Sequence, residues 1–225
     1  MTFSITARCE RTGMFGISVT SSSICVAARC GNWVRAGVGA VATQNITDPR
    51  LGDLGLRLLA EGYGAKAAID GMVRASDFPE FRQLAVIDVD GRTAHHCGSG
   101  TLGTYNVVHG TDCVAAGNIL SSEEVPAKMV EAFGATPDGH LAERLMQGLE
   151  AGLAAGGELG DVKSAGLYVV DRHVFPIADL RVDWHDAPID ELRRVWDLYE
   201  PQMVDYFTRA VNPGGAPSYG VPGDE

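Results

Sequence analysis

MTFSITARCERTGMFGISVT, residues Met1–Thr20, alternates apolar and polar side chains on both sides of a glycine-containing turn. Side chains on a strand point to opposite faces with period two, so this stretch reads as two antiparallel strands. Thr2, Ser4 and Thr6 share one face and Phe3, Ile5 and Ala7 the other; Gly16, Ser18 and Thr20 alternate in the same way with Phe15, Ile17 and Val19. A loop running from Cys9 to Gly13 sets Thr6 opposite Gly16, Ser4 opposite Ser18 and Thr2 opposite Thr20, which leaves one small polar face and one apolar face. Cross-strand Thr/Ser pairs occur in any half-exposed hairpin. The same cluster of hydroxyls also suits a nucleophile pocket: removal of Met1 would give Thr2 a nucleophile, its hydroxyl, and a base, its α-amine, on one residue.

Working outward, Ala36–Thr43 (AGVGAVAT) is a short apolar run that reads as a buried strand ending at the polar pair Thr43 and Gln44. Leu51–Glu61 and Ala65–Ala75 carry helical spacing and are separated by Gly62 and Gly64. Strands resume at Phe81–Val89 and Arg92–Cys97 around an Asp90-Gly91 turn. They continue at Val107–Val108 and at Cys113–Ala116, the last running into Gly117 and Asn118. Two helices are expected at Ser122–Phe133 and Asp138–Ala155, then a hairpin of Ser164–Val170 and His173–Ile177, then a helix over Asp190–Arg209. Hairpins alternating with helix pairs give an α+β chain whose helices cover antiparallel sheets. Residues 1–210 read as a single domain and 211–225 as a Pro/Gly-rich tail. The tail is expected to be tied down against a neighbouring subunit, making a homo-oligomer the expected assembly.

With 45% hydrophobic and 21% charged residues in 225, the composition is that of a globular chain able to bury a large core. Lacking an apolar run near the roughly 20 residues of a membrane helix, and lacking a basic segment followed by an apolar stretch at its start, the chain is expected to be cytoplasmic with no membrane partner. Its formal charge of -11, with no basic cluster, argues against nucleic acid. Five widely spaced cysteines, without a C-x-x-C pair, argue against a disulfide framework. His95, His96 and Cys97 are neighbours on a strand and point to opposite sides, so no metal site is expected, and no cofactor.

Seven segments, TFSITAR (2–8), RAGVGAVATQ (35–44), FRQLAVIDVDGR (81–92), AAGNIL (115–120), AGLAAGG (151–157), KSAGLYVV (163–170) and DLRVDWH (179–185), occur in the right order to resemble the family catalogued as domain of unknown function 1028. The resemblance covers residues 2 to about 195. That family looks like a member of the N-terminal nucleophile (Ntn) hydrolase superfamily, which implies a four-layer αββα sandwich. Two segments depart from the family's pattern. His96-Cys97-Gly98 stands where relatives show His-Thr-Gly, and ELGDVK at 158–163 lacks their arginine and glutamine, so their substrate preference is not carried over.

The resemblance implies an amide-bond hydrolase acting on a small molecule. Thr2 attacks a carbonyl, its α-amine, with an ordinary pKa of about 7.7–8.0, accepts the hydroxyl proton, and water releases the acyl group. Asn118 is the expected oxyanion donor, with Gly117 allowing close backbone approach. Ser4, Thr20, Thr43 and Gln44 are expected to bind substrate, Ser4 being the fallback nucleophile. Asn after Gly also simply occupies turns, and Gln44 also suits a role in satisfying strand-end backbone groups. Two other readings stay open: a non-catalytic binding or assembly protein on the same scaffold, and a thiol nucleophile, Cys25 or Cys97, near His95 or His96.

Overall fold

The computed structural model describes residues 2–223; Met1, on whose removal the Thr2 chemistry depends, and residues 224–225 lie outside the described residues. The chain runs β1 (Thr2–Arg8), β2 (Phe15–Ser21), α1 (Val26–Cys30), β3 (Trp33–Arg35), β4 (Gly39–Asn45), α2 (Pro49–Ala60), α3 (Ala65–Ala75), β5 (Arg82–Asp88) and β6 (Thr93–Cys97). It continues through β7 (Asn106–Gly110), β8 (Cys113–Asn118), α4 (Val125–Ala135), α5 (Leu141–Ala154), β9 (Ser164–Val170), β10 (Pro176–Val182) and α6 (Pro188–Val211). A six-stranded antiparallel sheet has the order β10-β9-β2-β1-β8-β7 and a four-stranded one the order β3-β4-β5-β6. The first strand of the chain is therefore central in the larger sheet.

Three apolar layers fix the architecture. Phe3, Ile5 and Leu167 of the large sheet pack on Met129, Leu145 and Trp196 of α4, α5 and α6. Val41, Leu84 and Val86 of the small sheet pack on Leu56, Ile69 and Met72 of α2 and α3. Phe15, Ile17 and Val114 meet Ala40, Ala42, Ala85 and Ile87 between the sheets. This is a four-layer αββα sandwich, with small alanines letting the sheets approach. Helix starts follow local chemistry: Asp48 accepts a hydrogen bond from the Arg50 amide with Pro49 at the first helical position. The His140 side chain caps α5 in the same way, three residues after Pro137.

The structure changes several expectations. The opening hairpin pairs Arg8 with Phe15, Ala7 with Gly16 and Phe3 with Thr20, one residue away from the register read off the pattern. Cys9 and Met14 close the loop through a 2.9 Å backbone hydrogen bond, and Met14 is buried against the helices. One extra loop residue reverses which side chains share a face. Thr2, Ser4 and Thr6 thus face the small sheet together with Ile17, whereas Ser18 and Thr20 share the helix-facing side with Phe3 and Ile5. Strand β10 starts at Pro176, not His173, because His173 and Phe175 stack on each other and on Phe207 of α6, which lengthens the turn. Helix α1 and strand β3 arise in a stretch without clear periodicity. The tail folds onto its own chain: Arg209 donates to the carbonyls of Pro217 and Ser218 and lies 3.8 Å from the ring centroid of Tyr219.

Candidate functional site

At the end of the sandwich where β1 begins, the inter-sheet layer turns from apolar to polar. In the large sheet Thr2 is the register partner of Asn118, with Ser4 two residues along. In the small sheet Gln83 pairs with Gln44 on one side and Cys97 on the other. These two rows face each other. Ser4 Oγ donates to Gln44 Oε1 at 2.8 Å, Gln44 Nε2 donates to Gln83 Oε1 at 2.8 Å, and Asn118 Nδ2 donates to the same oxygen at 3.0 Å. Gln83 Nε2 in turn donates to the Gly117 carbonyl at 3.0 Å and approaches Cys97 Sγ at 3.4 Å. Ser4, Gln44, Gln83 and Asn118 are all at most 1% exposed. A buried polar group without a partner costs about 1–3 kcal/mol, so this uncharged chain of hydrogen bonds is what makes the polar end compatible with burial. Asn118 Oδ1 is the exception, buried without a partner.

The strand ends that carry these side chains are unusual. Asn118 is followed by Ile119 at φ 50°, and Gln44 by Asn45 at φ 71°. Asn tolerates the left-handed region, but a β-branched residue there is strained by about 1–2 kcal/mol. Both turns are held by Leu102, whose amide donates to Asn45 Oδ1 at 3.2 Å and whose carbonyl accepts from the Ile119 amide at 3.0 Å. The Ile119 carbonyl accepts from the Leu159 amide, which lays residues 157–159 beside the end of β8. Strain of this kind persists where the surroundings over-determine it, and such places concentrate at functional sites. A Cβ on Gly117 would come within 2.6 Å of Leu120 Cδ2, so any larger residue here would have to displace the buried Leu120 side chain.

That neighbouring segment brings in a residue the sequence did not single out as a site residue. Glu158 forms a β-bridge with Leu120 and accepts at Oε2 from the Ser22 amide at 3.3 Å, while its Oε1 is buried without a partner. Ser21 Oγ, one residue before, accepts from Thr2 Oγ1 at 3.4 Å. Burial pushes the Glu158 carboxyl up to about 7, against the opposing charge of the chain's amino terminus and the donation from Ser22.

Of the sequence-derived site residues, the structure brings Thr2, Ser4, Gln44, Gly117 and Asn118 together. It separates two. Thr20 is on the helix side, its hydroxyl donating to the Ser164 carbonyl at 2.8 Å. Thr43 points away from its neighbour Gln44, as adjacent strand residues must, with its hydroxyl 3.5 Å from the Asp48 carbonyl. Gln83 was legible in principle, being a polar residue on the face that Ala85 and Ile87 continue. In the thiol reading, His95 Nδ1 lies 2.8 Å from His109 Nε2, His96 Nε2 lies 2.9 Å from the Pro79 carbonyl, Cys97 Sγ is approached by Gln83 Nε2 at 3.4 Å, and burial raises the Cys97 thiol. Among the described residues all five cysteines are free, and no group of three or more His, Cys, Asp or Glu side chains could hold a metal ion. No helix among them is long and apolar enough to cross a membrane.

The molecule is thus an αββα sandwich of two antiparallel sheets with a buried polar cluster at the start of its first strand. A model of the family of unknown function DUF1028 matches residues 2–192, and the chain belongs to that family. It is similar to protein SPO2555 from Silicibacter pomeroyi, a DUF1028 protein of known crystal structure, with 29% sequence identity, a TM-score of 0.79 and 88% of each chain covered. A comparison with curated proteins gives no match.

Proposed function

We propose that the protein is an amide-bond hydrolase of the N-terminal nucleophile type, acting without a cofactor on a small amide or N-acyl compound. The observation that carries the reading is the pairing of Thr2 with Asn118 at the buried polar end of the inter-sheet layer. While Met1 is attached, the Thr2 nitrogen is an amide and has no basicity. Its removal supplies an amine that takes the Thr2 hydroxyl proton as Oγ1 bonds to the substrate carbonyl carbon. The carbonyl oxygen becomes an oxyanion, which the second N–H of Asn118 Nδ2 is free to meet while the first stays on Gln83. Collapse expels the amine, which leaves with the proton held on the Thr2 ammonium. Water then cleaves the ester, returning the hydroxyl and the free acid.

The test compares three forms: the chain beginning at Thr2, the chain retaining Met1, and Thr2→Ala, each assayed for amine release from a panel of N-acetylated amines. Activity in the first form alone is expected, with Asn118→Ala reducing it about 100- to 1,000-fold. Equal turnover by the Thr2→Ala form refutes the assignment. One observation favours a second reading, a binding or assembly protein without amide chemistry: Ser4, Gln44, Gln83 and Asn118 already spend hydrogen bonds on one another. Inactivity of the Thr2-first form on every amide tested would support it.

A further inference from the structure

At the end of β1 away from Thr2, a cavity of about 470 Å³ lies between Arg8, the turn of residues 111–113 and the connection from α4 to α5. The two ends of the seven-residue β1 are about 20 Å apart, so this cavity is separate from the polar cluster. Its wall includes Arg144 of α5, which is only 7% exposed. Among the described residues just one other arginine is buried, Arg82, and it lies 3.9 Å from the Asp48 carboxylate. Arg144 has no such ion pair among them. Its Nε donates to the Phe133 carbonyl at 3.1 Å, and its guanidinium carbon lies over the Phe133 ring, 3.9 Å from the centroid. Those contacts occupy one edge and one face of the guanidinium. Nη1 and Nη2 keep no hydrogen-bond partner among the described residues, and neither is sealed off from the cavity.

The other charges around the cavity already have partners or lie in solvent. Arg8 gives Nη1 to the Val89 carbonyl and stands with Nε 3.2 Å from Asp112 Oδ1. Arg144 acts on the same Asp112 carboxylate, but less strongly than Arg8 does. The inner part of the cavity therefore holds two guanidiniums against one carboxylate. At the mouth, Glu131 pairs with Lys128 at 2.7 Å, Glu10 is 80% exposed and 4.0 Å from Arg8, and Arg11 donates to the Asp138 carbonyl at 3.0 Å. Water or a ligand carbonyl can accept from Nη1 and Nη2, yet either leaves the inner positive charge uncompensated, which is costly away from bulk solvent. A carboxylate answers both needs, because its two oxygens match the parallel N–H bonds of a guanidinium fork. A dianion meets more repulsion from Glu10, Glu131 and Asp138 at the mouth. Val130, Phe133 and Pro137 add apolar wall for the rest of the ligand. We infer that this cavity binds a small monocarboxylate with an apolar body, its carboxylate seated on Arg144. The inference is independent of the hydrolase reading.

The experiment titrates the full chain by calorimetry with hexanoate, its neutral isostere hexanamide, and inorganic phosphate. Hexanoate is expected to bind at least about tenfold tighter than hexanamide, as a charge-assisted pair of hydrogen bonds requires, and tighter than phosphate. Arg144→Gln keeps an amide able to reach the Phe133 carbonyl but removes the charge and the fork, and it should abolish the preference for the acid over the amide. Val130→Phe narrows the cavity while leaving Arg144 in place, and it should weaken hexanoate by about tenfold or more. Circular dichroism checks that each variant is folded; if Arg144→Gln is not, Val130→Phe carries the test. Equal binding of hexanoate and hexanamide by the parent protein overturns the site. So does a preference that survives Arg144→Gln, or a hexanoate affinity that Val130→Phe leaves unchanged. Phosphate binding tighter than hexanoate overturns the assignment to a monocarboxylate.

Discussion

Gln83 is the node on which the buried polar end depends, and replacing it with leucine tests whether that end is held as described. Leucine is close in length and volume, so the substitution changes chemistry more than packing. It strands three strong hydrogen-bonding groups among side chains that are at most 1% exposed: Gln44 Nε2, Asn118 Nδ2 and the Gly117 carbonyl. At about 1–3 kcal/mol for each orphaned group, with local relaxation, the expected loss is roughly 3–6 kcal/mol. That is a large share of the roughly 5–15 kcal/mol that stabilises a typical native protein. Urea unfolding followed by circular dichroism should show the midpoint falling with the slope unchanged. The exposed Gln202 of α6 provides the comparison, since Gln202→Leu should stay within about 0.5 kcal/mol of the parent. Combining Gln83→Leu with Gln44→Leu should cost less than the sum of the two, because the second change removes a donor that the first had stranded. A loss below about 1 kcal/mol for the single variant, or strict additivity in the double, would refute the network as the element that holds this end together.

Two further expectations concern charge. Glu158 titrates near 4.5 when free and at about 7 in the folded chain. The native state therefore keeps its proton longer than the unfolded state, and the stability of the neutral form, complete below about pH 4.5, is lost as pH rises through 7. The gap corresponds to roughly 3 kcal/mol. Glu158→Gln should raise the unfolding free energy by up to that amount at pH 8 and leave it nearly unchanged at pH 4, and a difference independent of pH would contradict the burial argument. Arg193 clamps α6 to α5 through Glu143 and Glu150 at 2.6–3.1 Å, with Trp196 Nε1 donating to Glu143 as well. Arg193→Ala should cost about 2 kcal/mol in thermal or denaturant unfolding, and Arg193→Lys nearly as much, because an ammonium cannot span both carboxylates. Losses under about 0.5 kcal/mol would mean that solvent screens the clamp.

Period-two alternation, helical spacing and turn residues are local properties, and they made most of the architecture legible. The alternation of Thr2–Thr20, the Asp90-Gly91 hairpin, and the helices of residues 49–60, 65–75 and 188–211 are all written in neighbouring residues. Faces and registers were less accessible. One additional loop residue, Met14, turned Thr20 toward the helices, and strand parity set Thr43 against α2 while Gln44 met Ser4. Ser4, Gln44, Gln83 and Asn118 lie 35 or more residues apart, so their convergence is a product of two sheets packing face to face. Glu158 makes the distinction most plainly. In the sequence it is one acid among 29 acidic residues, following two glycines, and nothing nearby marks it as buried. Its raised affinity for a proton comes from desolvation and from the Leu120 bridge that lays its segment beside β8. Desolvation is a property of everything that surrounds a group, and only the folded chain specifies those surroundings.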